Sequence, residues 1–160
     1  MLEPAKLSDW EAVDKLALQV HELHVGWQPQ FYCHTGTLYD IARFQMALDS
    51  RSLYVTRLNG EVVGYVLIGT MELDHPGLVS SKTLRLEEIC VAADHRHSGI
   101  GRQMMENVKS IAREMGCTDI RLTCAPQNAA AIGLYESLGM GVILIFNSNF
   151  APHFRRKSAH

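Results

Sequence analysis

Two short stretches of this sequence carry residues suited to chemistry. In the first, Leu86-Glu87-Glu88-Ile89-Cys90-Val91, two carboxylates stand side by side inside an apolar run. Such a run predicts a buried strand, and a carboxylate withdrawn from water is a stronger base. It could take a proton from a substrate directly or through a water. Alternation along the strand does not decide between Glu87 and Glu88, because one bulge would reverse the parity. The acid not used would lie on a solvated face or pair with Arg85 or Arg121. In the second stretch, Arg96-His97-Ser98-Gly99-Ile100-Gly101-Arg102, a glycine-rich turn opens a helix. The first N–H groups of a helix have no intrahelical partner, and the helix dipole adds positive potential there. Gly99 and Gly101 would let a ligand approach the backbone, and Arg96 and Arg102 flank the turn with charge. This is a cradle for a pyrophosphate.

Positioning both stretches takes a strand, a turn and a helix in that order. Ile100, Met104, Met105, Val108, Ile111, Ala112 and Met115 recur at helical spacing, and Gly116 supplies a stop. The turn is not G-x-G-x-x-G, since no third glycine follows, nor a P-loop, since no Lys-Ser or Lys-Thr follows. Upstream, Leu2 to Leu7 predicts a short edge strand, and Ser8-Asp9-Trp10-Glu11 a capping box. The helix it opens has an apolar face of Trp10, Val13, Leu16, Ala17, Val20, Leu23 and His24. A loop from Gly26 to Gly36 precedes a second helix at Thr37 to Leu48. Strands 53–58 and 61–71 are joined by Asn59-Gly60, a strong hairpin signal. A loop at Asp74-His75-Pro76-Gly77 leads to the strand that ends at Val91. Beyond the third helix come a strand at 119–124, a helix at 129–138 and a strand from Gly141 to Asn147. A further short strand and a basic tail, Arg155-Arg156-Lys157, fit the remainder. The order predicts an α/β fold with a mixed, mostly antiparallel sheet and helices on both faces.

The pattern R-x-x-G-x-G between strand and helix resembles the acetyl-CoA loop of the GNAT superfamily of N-acetyltransferases. A second segment, Asn128-Ala129-Ala130-Ala131-Ile132-Gly133-Leu134-Tyr135-Glu136-Ser137-Leu138-Gly139-Met140, resembles that superfamily's other shared motif. The likeness covers residues 84 to 148. It implies acetyl-CoA as cosubstrate, with Arg96, His97, Ser98, Gly99, Ile100, Gly101 and Arg102 at its pyrophosphate. It further implies splayed central strands, with the pantetheine arm against Ile89, Cys90, Val91 and Asn128. Ile89 to Val91 also read as core residues, and Asn128 as a helix N-cap; neither reading excludes the other.

Transfer of an acetyl group to a primary amine needs a base for the amine and an acid for the departing thiolate. A phenol is protonated at neutral pH, and the resemblance implies that Tyr135 is this acid; read alone, Tyr135 is a tyrosine packed on a sheet. The strand around Glu87 looks like that of polyamine and aminoglycoside acetyltransferases, where the first acid of the pair is the base. The Asn128 segment looks like that of ribosomal-protein N-terminal acetyltransferases, which commonly carry Glu or His five residues before the Asn. Thr123 occupies that position and cannot act as a base, which favours Glu87, then Glu88. Trp27, Phe31 and Tyr32 fall where relatives line the acceptor pocket, or simply cover one end of the core. A two-step route through Cys90 or Cys124 lacks a histidine partner in sequence. His21 and His24, three apart, make no complete metal-ligand set with Cys33 or His34, and His24 reads as a core or rim residue.

The whole chain fits this picture. Its 160 residues are most simply one domain spanning 1–160, which the resemblance implies is an N-acetyltransferase domain. A net charge of −2 gives no broad reason to expect nucleic acid or an anionic membrane as partner. The longest apolar runs fall far below the ~20 residues of a bilayer span, and the N-terminus has no apolar signal core. The four cysteines form no C-x-x-C pair and read as reduced thiols in a cytoplasmic protein. The expected partner is a small-molecule or peptide amine, with no metal required. The acceptor's identity and the choice between monomer and homodimer stay open.

Overall fold

A computed structural model describes residues 1–141. The predicted strand running on from Gly141 and everything after it lie outside the described residues. Five strands lie side by side in sequence order: β1 (Leu2–Pro4), β2 (Leu53–Leu58), β3 (Glu61–Leu73), β4 (Ser81–Val91) and β5 (Asp119–Leu122). The first four are mutually antiparallel, while β5 runs parallel to β4. Helices α1 (Trp10–Trp27) and α2 (Ile41–Asp49) cover one face. Helices α3 (Ile100–Glu114) and α4 (Ala129–Ser137) pack on the other. This is the mixed, mostly antiparallel sheet with helices on both faces that the sequence predicts.

Each face has its own core. On the first, Val13, Leu16 and Ala17 of α1 and Phe44 of α2 bury against Val55, Tyr65 and Cys90. On the second, Met104, Met105, Val108 and Ala112 of α3 bury against Val66, Ile68, Leu84 and Leu86. Burial of this apolar surface, at about 25 cal/mol per Å², is the term that holds helices to sheet.

Several boundaries differ from expectation, each for a visible reason. The box at Ser8–Glu11 is not the cap of α1. Instead a 3₁₀ turn, Leu7–Asp9, precedes it, and the buried Asp9 carboxylate accepts from the Lys6 N–H and from Arg57 Nη2 (2.9 and 2.8 Å). Helix α1 continues through Gly26 to Trp27, closed by the Gln28 N–H bonding back to the His24 carbonyl. Helix α2 begins four residues later than expected. The Leu38 and Tyr39 N–H groups are held by Asp14 Oδ1 of α1, and Asp40 caps the helix by accepting from the Arg43 N–H. The Asn59-Gly60 hairpin turn forms as predicted, with φ of 51° and 87°. Of the cysteines, Cys90 is buried and Cys33 exposed.

Candidate active site

The β4–β5 pairing runs from Thr83/Asp119 to Leu86/Leu122 and stops. From Glu87 to Val91, β4 has no strand partner on that side among the described residues. The backbone there is open to a ligand, which is the splay that the family resemblance implies. A cavity of about 420 Å³ lies at this opening. It is bounded by Glu87, Glu88 and Ile89 of β4, by Thr123 and Cys124 after β5, and by Asn128 and Tyr135 of the α4 segment. Its far end is formed by His21, His24, Tyr32, Leu38 and Arg43.

A bulge brings both acids to this cavity. Leu67 of β3 pairs with Glu88 and Ile68 with Leu86, so Glu87 is the extra residue. Leu86 and Ile89, three apart, consequently both pack in the α3 core, and the two acids between them turn toward the α1–α2 face. Strict alternation would have put them on opposite faces. The strand is therefore not buried at Glu87, contrary to expectation: its side chain is 38% exposed and pairs with Arg85 Nε at 3.1 Å. Glu88 is half-buried; its Oε2 accepts from Tyr65 Oη (2.7 Å) and Tyr39 Oη (2.9 Å). Arg43 Nη2 stands 3.6 Å from Oε1. Arg121 pairs with Asp119, not with either acid.

On the other side of the opening, Asn128 Oδ1 caps α4 by accepting from the Ala131 N–H at 3.2 Å, and the same side chain lines the cavity. Tyr135 packs against the α3 core with its ring in the cavity wall. Burial, then nearby Cys124, pushes its phenol up to about 12. It holds its proton throughout the physiological range.

The glycine turn begins one 3₁₀ turn after β4. Gly99 is the N-cap of α3 with φ of 85°, a left-handed conformation that L side chains rarely adopt. Gly99 has no side chain with which to cap the helix. A Cβ added at Gly99 would meet nothing within 4 Å, so its requirement is backbone conformation. Gly101 is different: its added Cβ would stand 3.3 Å from Leu134 Cδ2, so this glycine seats α3 against α4. Arg96 Nε donates to the Val91 carbonyl, Ser98 Oγ to the His95 carbonyl, and Arg102 Nη2 to Ser137 Oγ at 2.7 Å. Arg96, His97, Ser98 and Gly99 are all exposed.

The remaining sequence candidates separate. Tyr32 lines the cavity, stacked on His24 at 5.0 Å. Trp27 meets His24 edge-on and Phe31 is 62% exposed; neither bounds the cavity. Cys90 is buried in the core, its thiol pushed up to about 12 by desolvation, which disfavours a thiolate nucleophile. His24, read from sequence as a core or rim residue, reaches the cavity, and burial then His21 lower its pKa, so it is neutral at pH 7. Tyr39, Tyr65 and Arg43 carry no motif and were not expected at the site. Among the described residues no group of three or more His, Cys, Asp or Glu could hold a metal, and no helix is long and apolar enough to cross a membrane.

Comparison with known proteins agrees with this geometry. A family model described as the acetyltransferase (GNAT) family matches residues 17–140. N-acetyltransferase family 8 member 3 of Rattus norvegicus is 29% identical over 107 residues, 67% of this chain and 46% of that protein. The chain thus spans less than half the length of this curated relative. Among solved structures, a tetramutant of the BH1408 protein from Bacillus halodurans has a TM-score of 0.86 at 26% identity, covering 92% of this chain and 97% of that one. An aminoglycoside N-acetyltransferase in complex with CoA shares the fold, with a TM-score of 0.62 at 18% identity over 92% of this chain and 97% of its own. The match over most of the chain, on a sheet that opens where the superfamily's motifs converge, places the protein in the GNAT family of acetyltransferases.

Proposed function

We propose that the protein is an acetyl-CoA-dependent N-acetyltransferase that acetylates a primary amine by direct transfer, without an acyl-enzyme. The observation that carries this reading is the opening between β4 and β5, where two carboxylates, Asn128 and Tyr135 line one cavity. The residues present fit the cosubstrate. Gly99 leaves the N-terminus of α3 without a side-chain cap, and nothing within 4 Å crowds it. Ile100, Gly101 and Arg102 offer main-chain N–H groups to the pyrophosphate, with Arg96, His97 and Ser98 exposed beside them. The stretch Ile89–Val91, paired with β3 and open on the β5 side among the described residues, and the Asn128 side chain would hold the pantetheine arm. When bound, acetyl-CoA supplies the acetyl group as a thioester with a thiolate leaving group.

The chain's own residues then have three tasks. The opening orients the amine beside the thioester, and orientation of this kind can supply several kcal/mol of the barrier. Glu87 accepts the amine's proton, directly or through a water, because only about one part in a few thousand of an amine of pKa ~10.4 is neutral at pH 7. Glu87 is exposed and paired with Arg85, the setting expected of the unused acid, so this assignment rests on its place in the cavity and on the path its exposure gives that proton to solvent. Tyr135 donates to the departing sulfur. Its phenol at about 12 lies above the ~8.5 of a free thiol, which would make full proton transfer uphill. The apolar surroundings that raise Tyr135 also disfavour a thiolate beside it, as the raised thiol of neighbouring Cys124 illustrates, and this narrows the gap.

The test is an acetyl-transfer screen of the full chain with acetyl-CoA against spermidine, tobramycin, lysine and an N-terminal alanyl peptide, read by free thiol. Thiol release with one or more amines supports the reading. CoA binding without thiol release would make the protein a non-catalytic acyl-CoA-binding module, and release with the peptide alone would make it a peptide or protein acetyltransferase.

A further inference from the structure

Glu88 is held more firmly than any other carboxylate of the cavity, yet the acetyl transfer proposed above leaves it without a task. Its Oε2 accepts from two phenols, Tyr65 Oη at 2.7 Å and Tyr39 Oη at 2.9 Å. A carboxylate oxygen has two lone-pair sites, so Oε2 is filled. The phenols come from separate elements, Tyr65 from the middle of β3 and Tyr39 from the segment before α2. Both are fully buried, their rings edge-on at 6.3 Å. Desolvation first, and the Glu88 charge second, pushes both phenols well above the usual tyrosine range, so both remain donors. Oε1 is in a different position. Arg43 Nη2, at 3.6 Å, forms an ion pair with it but is too far for a hydrogen bond. The guanidinium is tethered elsewhere, donating to the Leu38 carbonyl at 3.0 Å and lying 4.8 Å over the Tyr39 ring. Among the described residues Oε1 thus has an ion-pair partner but no hydrogen-bond donor, and a donor from a ligand can take that place.

We propose that Glu88 anchors the acceptor's ammonium group through Oε1, and that Tyr39 and Tyr65 are positioning residues that hold the carboxylate for it. The acceptor is a primary amine that enters as a cation, with its carbon chain along the stacked rings of Tyr32 and His24. His24, neutral at pH 7, does not repel it, and the Arg43 guanidinium, tethered to the Leu38 carbonyl, shares the carboxylate with it. This assignment rests on acetyl transfer to an amine, and it divides the labour within the acid pair: Glu88 binds the charged form, and Glu87 takes the proton.

Binding to the full chain is measured by ligand-observed NMR with butylammonium and with butanol, which share a chain and differ in charge. Charge-assisted recognition predicts that butylammonium binds about tenfold tighter than butanol. Glu88→Gln keeps an acceptor for both phenols but removes the charge, and should reduce butylammonium to the affinity of butanol. The double variant Tyr39→Phe/Tyr65→Phe should weaken butylammonium about fivefold and leave CoA affinity unchanged. With whichever amine of the screen releases thiol fastest, the double variant should raise KM and leave kcat within about twofold, a split that mere loss of stability would not produce. Equal affinity for the two probes, or full ammonium affinity in Glu88→Gln, would overturn the proposal. A fall in kcat at constant KM would overturn it too, marking Glu88 as the proton acceptor. If the double variant fails to fold, Glu88→Gln decides alone. An absence of thiol release with every amine would remove the acetyl-transfer reading and leave the ammonium measurement standing.

Discussion

At the scale of single residues, burial decides which groups can exchange protons. Tyr135 keeps its proton because its phenol is withdrawn from water, and a donor at the leaving sulfur contributes about 10²–10⁴-fold to turnover. Tyr135→Phe should therefore lower kcat by about 10²-fold or more while CoA affinity, read by calorimetry, stays within about threefold. A normal kcat with weakened CoA binding would recast Tyr135 as a binding residue. Three phenols, those of buried Tyr39 and Tyr65 and half-buried Tyr135, are all raised in the folded state. A group with a raised folded pKa binds its proton more tightly when folded, so its stabilising contribution is whole below the unfolded value of ~10. It is lost as pH climbs through the folded value. Urea midpoints should accordingly fall between pH ~10 and ~12, and the triple Phe variant should flatten that fall; an equally steep fall in the variant would contradict the linkage. The tyrosine at 135 was legible because it sits inside a recognisable segment. Tyr39 and Tyr65 were not, since a tyrosine on a strand or before a helix cap has no local mark distinguishing a core ring from one aimed at a carboxylate.

At the scale of elements, local signals were readable and long-range ones were not. The Asn59-Gly60 turn, the periodic face of α3 and its glycine entry all follow from residues a few positions apart, and all are present. The start of α2 depends on Asp14, distant in sequence, taking two amides that would otherwise begin the helix. The bulge at Glu87 depends on where β3 and β4 keep register, so no window of the sequence could show that both acids face the cavity. Two substitutions in the α3 turn separate conformation from charge. Gly99→Ala has room for its Cβ but must adopt a φ of 85°, so it should lose about 1 kcal/mol of stability. Gly99→Glu bears the same strain and adds an anion in the phosphate cradle. It should reduce CoA affinity by about 100-fold beyond Gly99→Ala, measured by calorimetry. Equal CoA affinity in the two variants would contradict anion recognition at this turn.

At the scale of the molecule, the sheet ties the N-terminal segment to the site. Asp9, almost fully buried, is paired with Arg57 of β2, which also meets Glu3 of β1 and whose pKa these acids raise. Arg57→Ala would strand a buried charge, and should cost about 3 kcal/mol in urea denaturation; a loss under about 0.5 kcal/mol would show that the pair behaves as a solvated surface bridge. The two cores, one on each face, keep β4 in place while its far half, paired with β3, has no strand partner on the β5 side among the described residues, and that arrangement makes room for a cosubstrate. A crystal structure of the full chain with CoA tests this account most directly. It predicts the diphosphate on the main-chain amides at Gly99–Arg102, the pantetheine arm along Ile89–Val91, and the sulfur within hydrogen-bond reach of Tyr135 Oη. CoA bound elsewhere, with the β4–β5 opening vacant, would contradict it.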